Sequence, residues 1–321
     1  MPKLRQHLPP LALSLALACA AFVMPARAAE TSSCRTVRMS DPGWTDIAST
    51  NGVAGVLLKA LGYRQEVDTL SVPIAYQSLA GGKLDVFLGN WMPAQQHFVE
   101  PLLKDGKVDL LRHNLTDAKF TLAVPDYVAQ AGVRSFADLA AHADQFDRTI
   151  YGIEPGAIAN QNIQHMLDAK DFGLSGWHLV ESSEQGMLAQ VSRDAQRKKW
   201  VVFLAWEPHP MNTMFPITYL SGGDKYFGPN YGDTTINTLA RKDYAASCPN
   251  VARLFQQLAF TVPMENEMMV QIADKKRTGD EAAASYLKAH PDLLGPWLDG
   301  VTTRDGKPGL AAVQAALDLK T

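Results

Sequence analysis

TVRMSDPGWTDIASTNGVAGVLLKALGYRQEVDTLSV, residues 36–72, decides the reading of the fold. "TVRMS" and "EVDTLSV" are β-like runs rich in branched side chains, and Asp46 to Leu61 between them reads as a helix. Strand, helix, strand at this spacing is a right-handed crossover unit on a parallel sheet. The rhythm continues with a helix over Ile74 to Leu79 and a strand at "DVFLGN". It restarts at "FTLAVP" (Phe120 to Pro125), with a helix over Phe136 to Ala143, a strand in "TIYGIEPG" and a helix over Asn160 to Ala169. "WHLVESS", a helix over Gln185 to Arg197, and "VVFLAW" complete it. The chain is expected to be α/β, with two units. The tail segments "MENEMMVQIADKKR" and "DEAAASYLKAH" read as amphipathic helices on the outside.

The first 28 residues carry an address. Lys3 and Arg5 precede an apolar run, Leu11 to Met24, and Ala26-Arg27-Ala28 has the small-x-small form of a signal-peptidase site. The run is shorter than the roughly 20 residues of a membrane span. Residues 1–28 are therefore expected to be a signal peptide, cleaved after Ala28, and the protein to be exported. Removal takes three cations and no acid from a formal charge of −3. A mildly acidic chain without basic runs is a poor partner for nucleic acid or anionic membranes.

Beyond the signal only Cys34 and Cys248 remain. In an oxidising compartment they make a disulfide, the alternative being two free thiols. A bridge would return the last quarter of the chain to the first unit. With crossovers near Lys119 and Ser221-Gly222-Gly223, residues 29–119 plus 222–321 form one discontinuous lobe and residues 120–221 an inserted second.

Trp44, Trp91 and Trp206 each follow an apolar strand-like run. In open parallel sheets ligands collect at the carboxyl ends of strands. A lone tryptophan is ordinarily core, and Trp177, Trp200 and Trp297 are read so. Three at matching strand ends read as walls for a ligand, and indole faces suit a quaternary ammonium, at about 0.5 to 2 kcal/mol per contact. Asp46, two residues on, can cap the helix or serve a hydroxyl on that cation. Glu154 and Glu207 precede prolines and read as loop-shaping. His209 lacks a second ligand at metal spacing. The chain contains no G-x-S-x-G, H-E-x-x-H, Walker, G-x-G-x-x-G or C-x-x-C pattern, which lowers the case for an enzyme.

"SDPGWTD", "VFLGNWMP", "KFTLAVP", "YGIEPG", "ESSEQGMLAQV", "WEPHPMN", "YLSGGDKYFGPNYG" and "CPNV" together resemble the periplasmic choline-binding proteins of bacterial ABC importers, within the glycine-betaine-binding group. The resemblance runs from about Cys34 to Leu317. It implies a two-lobed, hinge-closing binding protein of type II, working in the periplasm, monomeric, without cofactor or metal, that delivers choline to a permease and its ATPase. Trp44, Trp91 and Trp206 fall on aromatic-box positions, Asp46 on the position that meets the choline hydroxyl, and Cys34 and Cys248 on the disulfide positions. Two residues depart from the pattern. Phe120 stands where the fourth wall is usually Tyr, keeping the ring face without its hydroxyl. Ala157 stands where Asn would meet the ligand hydroxyl, a loss of about 0.5 to 1.5 kcal/mol unless Asn160 or Asn162 substitutes. Carnitine or glycine betaine is the alternative ligand, and an exported enzyme on the same scaffold the alternative class.

Overall fold

The computed structural model describes residues 30–319 apart from residue 274; the expected signal peptide and its cleavage point lie outside the described residues. The first unit runs β1 (Thr36–Asp41), α1 (Thr45–Ala60), β2 (Arg64–Thr69), α2 (Val72–Ala80), β3 (Val86–Met92) and α3 (Gln96–Lys104). A long strand follows, β4 (Val108–Pro125). The second unit comprises β5 (Thr149–Tyr151), α4 (Ile158–Asp168), β6 (His178–Val180), α5 (Glu184–Gln196), β7 (Val202–Glu207) and β8 (Ile217–Tyr219). The chain then returns through β9 (Thr234–Arg241) to α6 (Pro249–Gln257), α7 (Val262–Ala273), α8 (Gly279–Ala289) and α9 (Gly309–Ala316).

Strand order is β2-β1-β3-β9-β4-β7-β5-β6, with β8 also on β4. The crossover units give parallel neighbours, β1 with β2 and β3, and β5 with β6 and β7. The antiparallel pairings of these strands each involve β4 or β9, the two strands that carry the chain between the half-sheets. β4 pairs with β9 as far as Ala118↔Thr234 and with β7 from Lys119↔Glu207 onward, so one continuous strand changes partner between residues 118 and 119. The sequence shows only the second half of β4 as a strand. Its first half, "VDLLRHNLTDAK", alternates poorly and is partly exposed, because pairing with β9 rather than burial holds it extended.

The expected helix over Phe136 to Ala143 is instead two three-residue 3-10 turns, Phe136–Asp138 and Ala140–His142. The Asp138 carboxylate accepts from the Ser135 backbone N–H and hydroxyl at 2.8 Å each, closing the first turn on itself. Helix α1 contains Gly52, and a Cβ there would lie 2.2 Å from the Gly279 backbone. This close crossing buries α1 against α8, which explains a glycine where helix propensity alone disfavours it. α7 and α8 bury Met264, Met268, Met269, Ala282, Ala283 and Leu287 against the first unit. Cys34 and Cys248 are joined, so β1 and α6 start from one covalent point.

Candidate ligand cavity between the half-sheets

At the carboxyl ends of β1, β3 and β7, four aromatic rings frame one cavity: Trp44, Trp91, Phe120 and Trp206. The first half-sheet adds Ala94 and Gln95, and the second adds Ile153 and the consecutive residues Ala157, Ile158 and Ala159. No side chain on this wall is charged. The space is about 390 Å³ with the solvent at its mouth included.

The three tryptophans are placed by strand ends and Phe120 by its pairing inside β4. Asp41 closes β1 by accepting from the backbone N–H groups of Gly43 (2.7 Å) and Trp44 (3.1 Å), turning the chain into α1. Trp91 lies opposite Ile236 on β9, and Trp206 lies directly opposite Phe120 on β4, a cross-strand pair with both rings on one face. Trp91 and Phe120 have ring centroids 5.9 Å apart, and Phe120 leans on Phe227 at 6.0 Å. Trp91 and Trp206 are each followed by one residue and a cis-proline, Pro93 and Pro208. Gly232, at φ +71°, lies against the Phe120 backbone, where a Cβ would be 2.0 Å from the carbonyl oxygen. Trp177 and Trp297 are buried away from the cavity wall, and Trp200 is half-buried, as expected of core residues.

The polar groups divide into holders and orphans. Trp44 Nε1 donates to both carboxylate oxygens of Glu154, at 3.0 Å each. Burial pushes the Glu154 carboxyl up to about 7; the Trp44 bond pulls the other way, and the charges of Glu184 and Asp41 add to the rise. Glu207 pairs with Lys119 at 2.9 Å. Asn160 spends its amide on the 153–154 loop, accepting from Ile153 N–H and donating to the carbonyls of Ile153 and Glu154 and to Glu181. It is therefore not free to replace an asparagine at position 157. Asn162 lines a separate surface depression beside Pro93 and His97.

Asp46 sits in the first turn of α1, buried, with neither carboxyl oxygen bonded, and is not among the wall residues. It does not cap the helix: Trp44 occupies the cap position. Burial, then the Glu184 charge, raises its carboxyl well above the ordinary range, as burial and Asp46 do for Glu265.

Gln95, Thr45 and Glu184 were not singled out from the sequence. Gln95 ends a buried polar chain in which Asn237 donates to Asn90 (2.9 Å), Asn90 donates to Tyr76 (2.7 Å), and the Tyr76 hydroxyl bonds Gln95 Oε1. With its oxygen occupied, Gln95 has its amide N–H groups left for the cavity. Glu184 accepts from Thr45 across the cleft and from His209. Such contacts join residues from 14 to 147 positions apart and leave no local signal.

Fold and cavity together define a two-lobed, substrate-binding protein of the type II class. The family described as the substrate-binding domain of the ABC-type glycine betaine transport system matches residues 35–289, and the chain belongs to it. Its members are binding proteins rather than enzymes. A solved ABC-transporter choline-binding protein in complex with choline is 51% identical, covering 90% of this chain and 100% of that one, with a TM-score of 0.88. Its unliganded, semi-closed form gives 0.83 at the same identity. Lactococcal OpuAC in its closed form with glycine betaine is 27% identical over 82% of this chain and 99% of that one, with a TM-score of 0.74. The glycine betaine/carnitine transport binding protein GbuC of Listeria monocytogenes is 29% identical over 51% of this chain and 53% of its own length.

Proposed function

We propose that this chain is the extracytoplasmic receptor of an ABC importer and captures choline in the cavity between its lobes for delivery to a permease and ATPase. One observation carries the reading: four aromatic rings from both half-sheets frame a single space whose wall bears no charged side chain. Such a box attracts a trimethylammonium head through the ring quadrupoles, and burying three methyls adds roughly 0.8 kcal/mol each. Micromolar affinity, about −8 kcal/mol, is reachable after association costs. The acids Asp41, Asp46, Glu154 and Glu184 cluster around the start of α1; burial and the Glu184 charge raise the other three, and a cation bound nearby would offset that repulsion. On the wall, Gln95 N–H and the unpartnered Trp91 Nε1–H are available to a ligand hydroxyl; Asp46, off the wall, keeps the hydroxyl role only as the position the resemblance assigns. The division into a lobe of residues 29–119 plus 222–321 and a lobe of 120–221 belongs to the same reading, as does action as a monomer.

A second reading rests on the first turn of α4. Ala157, Ile158 and Ala159 line the cavity, and a helix start offers N–H donors to a carboxylate. That would suit glycine betaine or carnitine. Calorimetry with the three ligands separates the readings: choline is expected to bind tightest, and tighter binding of either carboxylate ligand overturns the choice. Mass analysis after incubation is expected to return choline unchanged.

A further inference from the structure

The start of α1 depends on a residue from the other lobe. A helix leaves its first N–H groups without internal partners. Here Trp44 holds the cap position and offers no side-chain bond, and Asp46 in the first turn caps nothing. The Thr45 N–H instead donates to Glu184 Oε2 at 3.1 Å, and the Thr45 hydroxyl donates to Glu184 Oε1. Glu184 is 139 residues away, in the first turn of α5, and is 2% exposed. Its own helix does not need it, because Ser183 caps α5 by accepting from Gly186 N–H.

His209 fixes the carboxylate. Met211 N–H donates to His209 Nδ1 at 3.0 Å, which leaves the proton on Nε2 to donate to Glu184 Oε1 at 3.1 Å. The same imidazole packs edge-on against Trp206, 4.9 Å between centroids. One carboxylate thus links the residue following one cage wall to the residue supporting another.

We infer that Glu184 is a positioning residue that latches the closed cleft, capping α1 from the opposite lobe and so setting the Trp44 ring against the ligand. The inference rests on the proposed choline reading. His209 belongs to the same lobe as Glu184 and stays bonded when the lobes part, whereas the Thr45 bonds exist only when they meet. A buried carboxylate is costly unless its partners are in place, and Asp41, Asp46 and Glu154 all feel its charge. A cation in the cavity offsets that repulsion, so ligand and latch support one another.

The test compares wild type, Thr45→Val, Glu184→Ala, Glu184→Gln and the Thr45→Val/Glu184→Ala double variant. Calorimetry and stopped-flow tryptophan fluorescence with choline supply the readouts, together with melting temperatures without ligand. Thr45→Val and Glu184→Ala should each raise the dissociation rate about tenfold with association changed less than twofold. The double variant should be no worse than Glu184→Ala, because both remove one contact. Glu184→Gln, which keeps an acceptor oxygen, should restore part of the loss, and Thr45→Val should melt like wild type without ligand. Wild type that binds choline while both single variants dissociate at its rate overturns the latch, as do additive losses or an equal loss of unliganded stability in Thr45→Val. A wild type that ignores choline and binds glycine betaine overturns the ligand reading instead, and the same rates with glycine betaine then decide the latch.

Discussion

The two faces of the cleft are chemically unlike. The face built on β1 and α1 presents hydrogen-bond donors, the Trp44 indole N–H and the Thr45 N–H and hydroxyl. The face built around β5, β7 and α5 presents acceptors, the carboxylates of Glu154 and Glu184. Both contribute aromatic rings, so the apolar box is shared while the polar chemistry is divided. Trp44 and Thr45 on one face find their acceptors on the other, while His209 supports Glu184 from its own side.

The sharpest way to break this comparison is to remove one ring from each face. Trp44→Ala and Trp206→Ala should each weaken choline binding at least tenfold by calorimetry, with the circular dichroism of the fold retained. Near-native affinity in Trp206→Ala would make that ring a core residue and the box one-sided.

The next effect is smaller and depends on pH. Glu154 is held up at about 7, above its ordinary value, so its contribution to stability is complete below the unfolded value near 4.5 and is lost as pH rises through about 7. Between roughly pH 5 and 8 the unliganded wild type should therefore lose melting temperature relative to Glu154→Gln, whose side chain does not titrate. Parallel curves would show that Glu154 is not held away from water on the acceptor face.

Ala157 gives the smallest expected change. Asparagine there would cap α4, worth about 1 kcal/mol of stability, and would add one hydrogen bond to a hydroxyl-bearing ligand, up to about tenfold in affinity. Choline titration of Ala157→Asn checks the affinity and its unliganded melting temperature the cap, and weaker binding would show that the alanine is there to make room.

The three tryptophans were legible because each ends an apolar strand-like run, and that pattern is local; Phe120, inside β4, came only from the resemblance. The crossover units were legible for the same reason, with element ends displaced by only a few residues. What the sequence hid is tertiary. The first half of β4 is held extended by β9, a strand over a hundred residues later. The bond from Glu184 to Thr45 spans 139 residues, and Gln95 gains its role from Tyr76 and Asn90, neither of which stands out in the chain. Asp46 was legible as a carboxylate beside Trp44. Its burial without partners, against Glu184 and near Glu265, depends on the packing of α7 on α1 and could not be read from spacing.

The bond between Cys34 and Cys248 makes a covalent ring of everything from the start of β1 to the start of α6, a separation of 214 residues. A protease that nicks any loop inside that ring cannot release a fragment, because both pieces stay tethered until the sulfurs are reduced. The ring also cannot close until the chain has been made as far as Cys248, so everything inside it begins to fold without that tether.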